Sequence, residues 1–249
     1  MATHQRARGE EQAERNAKPA GGDSKQDTPV FNSLEELQAL SRKVLRAKEE
    51  NAYYTRWKNP DGSPGGFHTG SRIAKDVFID PSSVVAFSKL RPGVRIGAKC
   101  IVYSSTLGRN SAIGSECEIR DAEAGDNLQM GDNCYLAART TGGDDDEEDS
   151  GVYMDDDVKV GKGVEITNAY IGEKTSIGDD SVIDGFNHIY IGPRVSIGAR
   201  VKVEDDSSIQ QDAVVPDGAK VLRHTVLDNY KVPKGSVEEA IKELDVKRA

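Results

Sequence analysis

Large aromatic side chains are scarce in this chain: one Trp, eight Tyr and five Phe, 6% of 249 residues. Hydrophobic residues reach only 36%, which is little for a wide globular core and enough for an elongated repeat built on one thin aliphatic column. Positive charge is also short, with 33 Lys and Arg against 42 Asp and Glu. The net charge of −9 argues against nucleic-acid partners. No apolar run approaches the ~20 residues of a membrane span, and no signal-peptide apolar region follows Met1. The expectation is a cytoplasmic protein with no membrane partner.

Residues 1–30 are charged, bear Gly and Pro, and have almost nothing large and apolar. They cannot bury enough surface to offset the entropy of ordering, so a disordered tail is expected. Glu10, Glu11 and Glu14 interrupt the basic residues and argue against a transit peptide.

What is plentiful is the aliphatic–Gly pair. It stands at Ile96-Gly97, Leu107-Gly108, Ile113-Gly114, Met130-Gly131, Val160-Gly161, Ile171-Gly172, Ile177-Gly178, Ile191-Gly192 and Ile197-Gly198. Ala124-Gly125 and Thr141-Gly142 fill two further slots, so the early steps alternate 11, 6, 11, 6, 11. The sum is a 17-residue unit: VRIGAKCIVYSSTLGRN, SAIGSECEIRDAEAGDN, LQMGDNCYLAARTTGGD. The unit extends back to Val77, resumes at Val158, and ends as a six-residue beat through Ile197, Val203, Ile209, Val215, Val221 and Leu227. Three short strands per unit make one triangular coil, with each aliphatic residue pointing to the axis and the Gly relaxing a tight corner. From Val77 to about Tyr230 there is room for about eight coils. Cys100, Cys117 and Cys134 share one slot in three successive coils. They read as small core residues; no His shares their spacing, and no metal site is expected.

This pattern resembles the hexapeptide-repeat transferase superfamily. The phrasing VEITNAYIGEKTSIGDDSVI is most similar to the carboxy-terminal β-helix of sugar-nucleotide pyrophosphorylases and of acetyltransferases of the N-acetylglucosamine-1-phosphate uridyltransferase type. The resemblance implies an all-β fold, a left-handed parallel β-helix over residues 77–230, assembled as a homotrimer with grooves between subunits. It implies an acyltransferase that moves an acetyl or similar group from acetyl-CoA to a small-molecule acceptor: a sugar, sugar nucleotide or amino compound. The alternative is a non-catalytic β-helix serving as an assembly or regulatory subunit, as in the pyrophosphorylase tails. The γ-class carbonic anhydrases share the fold but need an H-x4-H pair that is absent here.

Outside the coils, residues 31–76 are expected to form a helix and an aromatic capping loop. Ser33 with Glu36 makes a capping box ahead of a Leu37, Leu40, Val44 stripe over 33–50. The Pro/Gly-rich stretch 51–70, which holds Trp57, then closes the first coil, with His68 on the surface. A second helix is expected within 231–249, where Ser236 and Glu239 repeat the box. The segment 143–157 holds nine acidic residues, equal to the whole net charge, and reads as a solvated loop thrust out of the coil.

One slip in the repeat carries chemistry. Ile177 to Ile191 is 14 residues rather than 11, so three extra residues must bulge near SVIDGFNHIYIG. Gly185 can turn the chain there and let Phe186, Asn187 and His188 project. By the resemblance, His188 is the base that takes the acceptor's proton as it attacks the thioester, Asn187 steadies the oxyanion, and Asp184 orients the imidazole. His188 stands three residues before Ile191-Gly192, where the family's histidine commonly stands four before such a pair. The uridyltransferase alignment puts Asp179 at the catalytic slot. The other reading of His188 is an exposed histidine on a structural bulge.

Overall fold

The computed structural model describes residues 54–138 and 151–227, with the backbone alone at 186–188. The expected tail over 1–30, the helices over 33–50 and within 231–249, and residues 143–150 of the acidic loop lie outside the described residues.

The described chain is all β and contains no helix. It winds into a parallel β-solenoid with three faces. Eight strands stack on the first face, from Phe78–Ile79 to Val214–Val215. The second face runs from Val84–Ala86 to Lys220–Val221, and the third from Arg72–Ile73 to Val226–Leu227. The third face counts nine strands, because Arg72–Ile73 precedes the eight coils that run from Val77. Each wall strand pairs in parallel with its equivalent one coil on, as Ile96 with Ile113 and Val102 with Ile119.

Inward residues form three stacked columns. Ile79, Ile96 and Ile113 head the first, Val85, Val102 and Ile119 the second, and Leu90, Leu107 and Ala124 the third; all are at most 4% exposed. The corners explain the glycines. A Cβ on Gly108 would lie 2.0 Å from the carbonyl oxygen of Gly125 in the next coil, so the corner backbones are stacked too closely for a side chain. The residue after such a Gly often donates its N–H to an Asp on the next coil. Asp126 accepts from Arg109 at 2.6 Å, Asp132 from Ser115 at 2.7 Å, and Asp179 from Lys162 at 2.8 Å. Asp179 is thus a corner tie, which accounts for an Asp in that slot.

The three thiols follow the same coil-to-coil logic. Cys100, Cys117 and Cys134 are buried, and their Sγ atoms lie 2.9, 3.1 and 3.0 Å from the carbonyl oxygens of Gly114, Gly131 and Gly161. Ser83 and Ser181 make the equivalent bond with a hydroxyl, to Gly97 at 2.6 Å and Gly198 at 3.0 Å.

Two stretches differ from the expectation. Residues 51–70 are not a plain loop: Thr55–Lys58 and Pro64–Thr69 form an antiparallel hairpin whose second strand stacks on Val84–Ala86. His68 therefore pairs with Val85 at the head of the second column. It is half-buried, edge-on to Trp57 at 5.9 Å between ring centroids, and its Nδ1 has no hydrogen-bond partner. Desolvation pushes its pKa below the ordinary 6.5. A surface histidine was expected; the hairpin draws it inward because the first coil has no coil above to cover Val85.

The second difference lies in the acidic stretch. Val152–Met154 is a third-face strand, pairing Ala122 with Val152 and Ala124 with Met154. The slot assigned to Thr141-Gly142 is thus taken by Met154-Asp155, and the acidic stretch has rejoined the solenoid by Gly151. Met154 fills the column, and Asp156 accepts the Asp126 N–H at 2.6 Å as a corner tie.

Candidate functional site on one edge and the third face

Counting between inward residues locates every irregularity on one edge. First face to second and third face to first are always six residues apart, as in Ile96 to Val102 and Leu90 to Ile96. From second to third face the step is five in the early coils, as in Val102 to Leu107. That tight edge accounts for the 17-residue unit. It is also where the coil opens. Leu136 to Met154 is 18 residues, thirteen more than five, and Ile183 to Ile191 is eight, three more.

The three-residue slip is visible in the pairing. The strand Val182–Ile191 lies beside Glu165–Ile171, with Thr167 opposite Asp184 and Ala169 opposite Ile189. Asn168 alone faces the four residues 185–188. Residues 185–188, Asn187 and His188 among them, therefore form a backbone bulge of the edge, between the two halves of one strand. Asp184 is anchored at the root, where its Oδ1 accepts a 2.9 Å hydrogen bond from the Thr167 hydroxyl. That bond fixes one carboxylate oxygen beside the bulge.

The other two histidines among the described residues are elsewhere. His68 is at the amino-terminal end of the solenoid; His224 is an exposed residue of the last coil at φ 61°, 3.5 Å from the Asp206 carboxylate. Among the described residues, no group of three or more His, Cys, Asp or Glu side chains is arranged to hold a metal ion.

Beside the bulge the third face carries a feature that was not singled out from sequence. Tyr153, Tyr170 and Tyr190 are directly opposite one another in three successive coils. The Tyr170 and Tyr190 rings are parallel within 1°, with centroids 5.4 Å apart. Each precedes an inward residue, Met154, Ile171 or Ile191, so alternation sends it outward. The available signal was an aromatic residue before the pair, in YMD, YIG and YIG. The amino-terminal end of the ladder opens into a groove of about 420 Å³, lined by Arg91, Glu123, Tyr153, Asp155, Tyr170 and Glu173 among others. The Tyr170 hydroxyl donates to the Asp155 carboxylate, and that bond first, with burial second, pushes the phenol up to about 12. Tyr170 is therefore a fixed neutral phenol near neutral pH. Carboxylates outnumber the one guanidinium, so the groove is anionic. Tyr190 is two residues beyond His188 and about one strand spacing, ~5 Å, from Tyr170. The backbone bulge and its anchored Asp184 carboxylate thus adjoin an aromatic wall.

No protein-family model matches the chain. No curated protein matches it either. Among solved structures it is similar to the acetyltransferase domain of PglB from Neisseria gonorrhoeae in complex with acetyl coenzyme A, at 16% identity and a TM-score of 0.28, over 58% of this chain and 53% of that one. It is also similar to the UDP-N-acetylglucosamine O-acyltransferase of Moraxella catarrhalis, at 15% identity and a TM-score of 0.30, over 64% and 60%. For the Arabidopsis UDP-N-acetylglucosamine acyltransferase the values are 14%, 0.32, 63% and 67%. The chain spans 53% and 60% of the length of the first two.

Proposed function

We propose that this protein is a coenzyme A-dependent acyltransferase whose active centre is the bulge between Asp184 and Ile189. The observation that supports the reading is the break in an otherwise regular edge, a backbone bulge over 185–188 next to the anchored Asp184 carboxylate. In this reading the His188 imidazole accepts the proton of an acceptor hydroxyl or amine as that group attacks the acetyl-CoA carbonyl. The Asn187 amide donates to the developing oxyanion. The tetrahedral intermediate then expels the coenzyme thiolate, and the imidazolium returns a proton to the sulfur. Asp184, anchored by Thr167 beside the bulge, orients the imidazole. The acceptor is a small molecule, a sugar, sugar nucleotide or amino compound, lying along the tyrosine ladder. A homotrimer supplies the second wall of the site.

One observation favours the non-catalytic alternative. The groove beside the ladder is anionic and repels the coenzyme phosphates. Binding separates the two readings. Acetyl-CoA at one hundred times its dissociation constant should stabilise an acyltransferase by ~2.7 kcal/mol. A melting temperature that is unmoved by millimolar acetyl-CoA, with no acyl transfer to any amine or hydroxyl acceptor, would retire the enzyme and leave the assembly subunit.

A further inference from the structure

The outward column that carries the tyrosine ladder has a carboxylate at its head. Glu123 lies directly opposite Tyr153, Tyr153 opposite Tyr170, and Tyr170 opposite Tyr190. The neighbouring column, one residue past the inward position, reads Gly108, Gly125, Asp155, Gly172 and Gly192. Asp155 thus stands where the coils on either side have glycine. Gly125 before it and Gly172 after it carry no side chain, so the floor of the groove there is backbone. The Asp155 carboxylate is held by the Tyr170 hydroxyl. The rings of the ladder stay open, with Tyr153 36% and Tyr190 38% exposed. The charges of the groove do not cancel. Arg91 faces Asp126 at 3.9 Å, and Glu173 pairs with Lys174. Glu123, Asp155 and Asp156 line the groove with no cationic partner among the described residues.

We propose that this groove binds a linear aliphatic polyammonium ion, a polyamine, with its methylenes along the tyrosine rings and its ammonium groups on Glu123 and Asp155. The size agrees: about 420 Å³ is within the ~300–1,000 Å³ of small-ligand sites. The charge agrees too. Three uncompensated carboxylates call for two or three positive charges, more than a single ammonium brings. The spacing points to a chain. Glu123 and Asp155 belong to successive coils, as do Asp155 and Glu173. Successive coils stand ~5 Å apart, a repeat matched by ammonium groups three or four methylenes from one another. A tyrosine face both attracts a cation and covers an alkyl chain. Other ligands fit less well. Among the described residues no group of acidic side chains is arranged to hold a metal ion, and an anion is repelled. The proposal stands apart from the acyl-transfer reading, because holding the cation requires no thioester chemistry.

Calorimetric titration of the full chain with spermidine, without acetyl-CoA, tests it. Spermidine should bind at one site per chain. Glu123→Gln and Asp155→Asn should each weaken binding roughly tenfold, the worth of a hydrogen bond to a charged group. Tyr153→Leu should weaken it roughly two- to fivefold, through loss of the ring face. Glu165→Gln, at an exposed carboxylate of the second face, should leave the affinity unchanged. Glu123 is exposed as well, so its variant keeps the test decisive if Asp155→Asn fails to fold. Absence of saturable binding would overturn the proposal. So would an equal loss of affinity in Glu165→Gln, which would mark general surface charge. Displacement of spermidine by calcium chloride beyond that by sodium chloride of equal ionic strength would overturn it too, as the mark of an inorganic cation site. With no coenzyme present, each of these failures leaves the acyl-transfer reading as it stands.

Discussion

At the scale of single residues, the slot and not the side-chain type sets the tolerance to change. Cys117 occupies a position that Ser83, Val164 and Ser181 fill in other coils, and a hydroxyl makes the same coil-to-coil bond as its thiol. Cys117→Ser should therefore cost no more than about 1 kcal/mol in chemical denaturation. The thiol itself is unreactive. Hydrogen bonding with Cys100 and then burial push it up to about 12, so native labelling should be slow. Gly114→Ala is the contrasting case: its Cβ would sit 2.5 Å from Gly131 backbone atoms. Its cost should be about 1–3 kcal/mol or more, because two backbones must separate. His68 carries a pH signature. Its folded pKa is depressed below 6.5, so the unfolded chain takes up the proton first as pH falls. Stability from this site is present above about pH 6.5 and is lost progressively below it. The His68→Gln variant should show a shallower loss of stability than the parent in denaturant titrations below that pH. His188→Ala should leave the melting temperature nearly unchanged, since a bulge residue adds little packing. Acyl transfer should fall by ~10²–10⁴ with coenzyme binding retained; an equally active variant would remove His188 from the mechanism.

At the scale of elements, one edge absorbs all length variation. The five-residue corner saves a residue per coil, and it is the corner that accepts both the insertion before Val152 and the bulge before Ile189. Neither disturbs the pairing of flanking strands: Leu136 still faces Ile166, and Ile183 still faces Val203. Replacing 143–150 with a short Gly/Ser linker should therefore leave the melting temperature within a few degrees of the parent, since loop length enters closure entropy only logarithmically. A calcium-dependent melting temperature in the parent would show a structural ion site instead. Replacement through residue 157 should be far more damaging, because Val152 and Met154 belong to the core and Asp156 ties a corner.

At the scale of the whole molecule, the solenoid is a quasi-one-dimensional stack in which each coil contacts only its neighbours. Its stability is shared along the axis, and its ends need covers, one of which is the hairpin carrying Trp57. The Trp57 indole donates to the Val77 carbonyl at 3.0 Å, pinning the hairpin to the first coils. Trp57→Ala should lower the melting temperature and raise hydrogen exchange in the strands around Val77 and Val85, with the coils near Val203 unaffected.

Much of this architecture is legible in the chain itself. Hexad spacing of aliphatic residues specifies inward columns, because a period of six admits only three two-residue strands per turn. The Gly after each aliphatic residue specifies a corner too tight for a Cβ, and the 14-residue step before Ile191 specifies a bulge of three. These are local rules, satisfied residue by residue, so they can be read without knowing what lies across the coil. Other features depend on stacking. Thr141-Gly142 falls on the 11-residue step, yet Met154 occupies the slot, since the strand that best completes the hydrophobic column wins over the nearest match in spacing. His68 is drawn inward because the first coil has no predecessor to shield Val85. The tyrosine ladder arises only when residues 153, 170 and 190, unevenly spaced in sequence, fall into one outward column. The shared edge of the acidic insertion and the His188 bulge is likewise a property of the wound coil. Sequence carries the period; which departures from it coincide in space is decided by the register of the stacked coils.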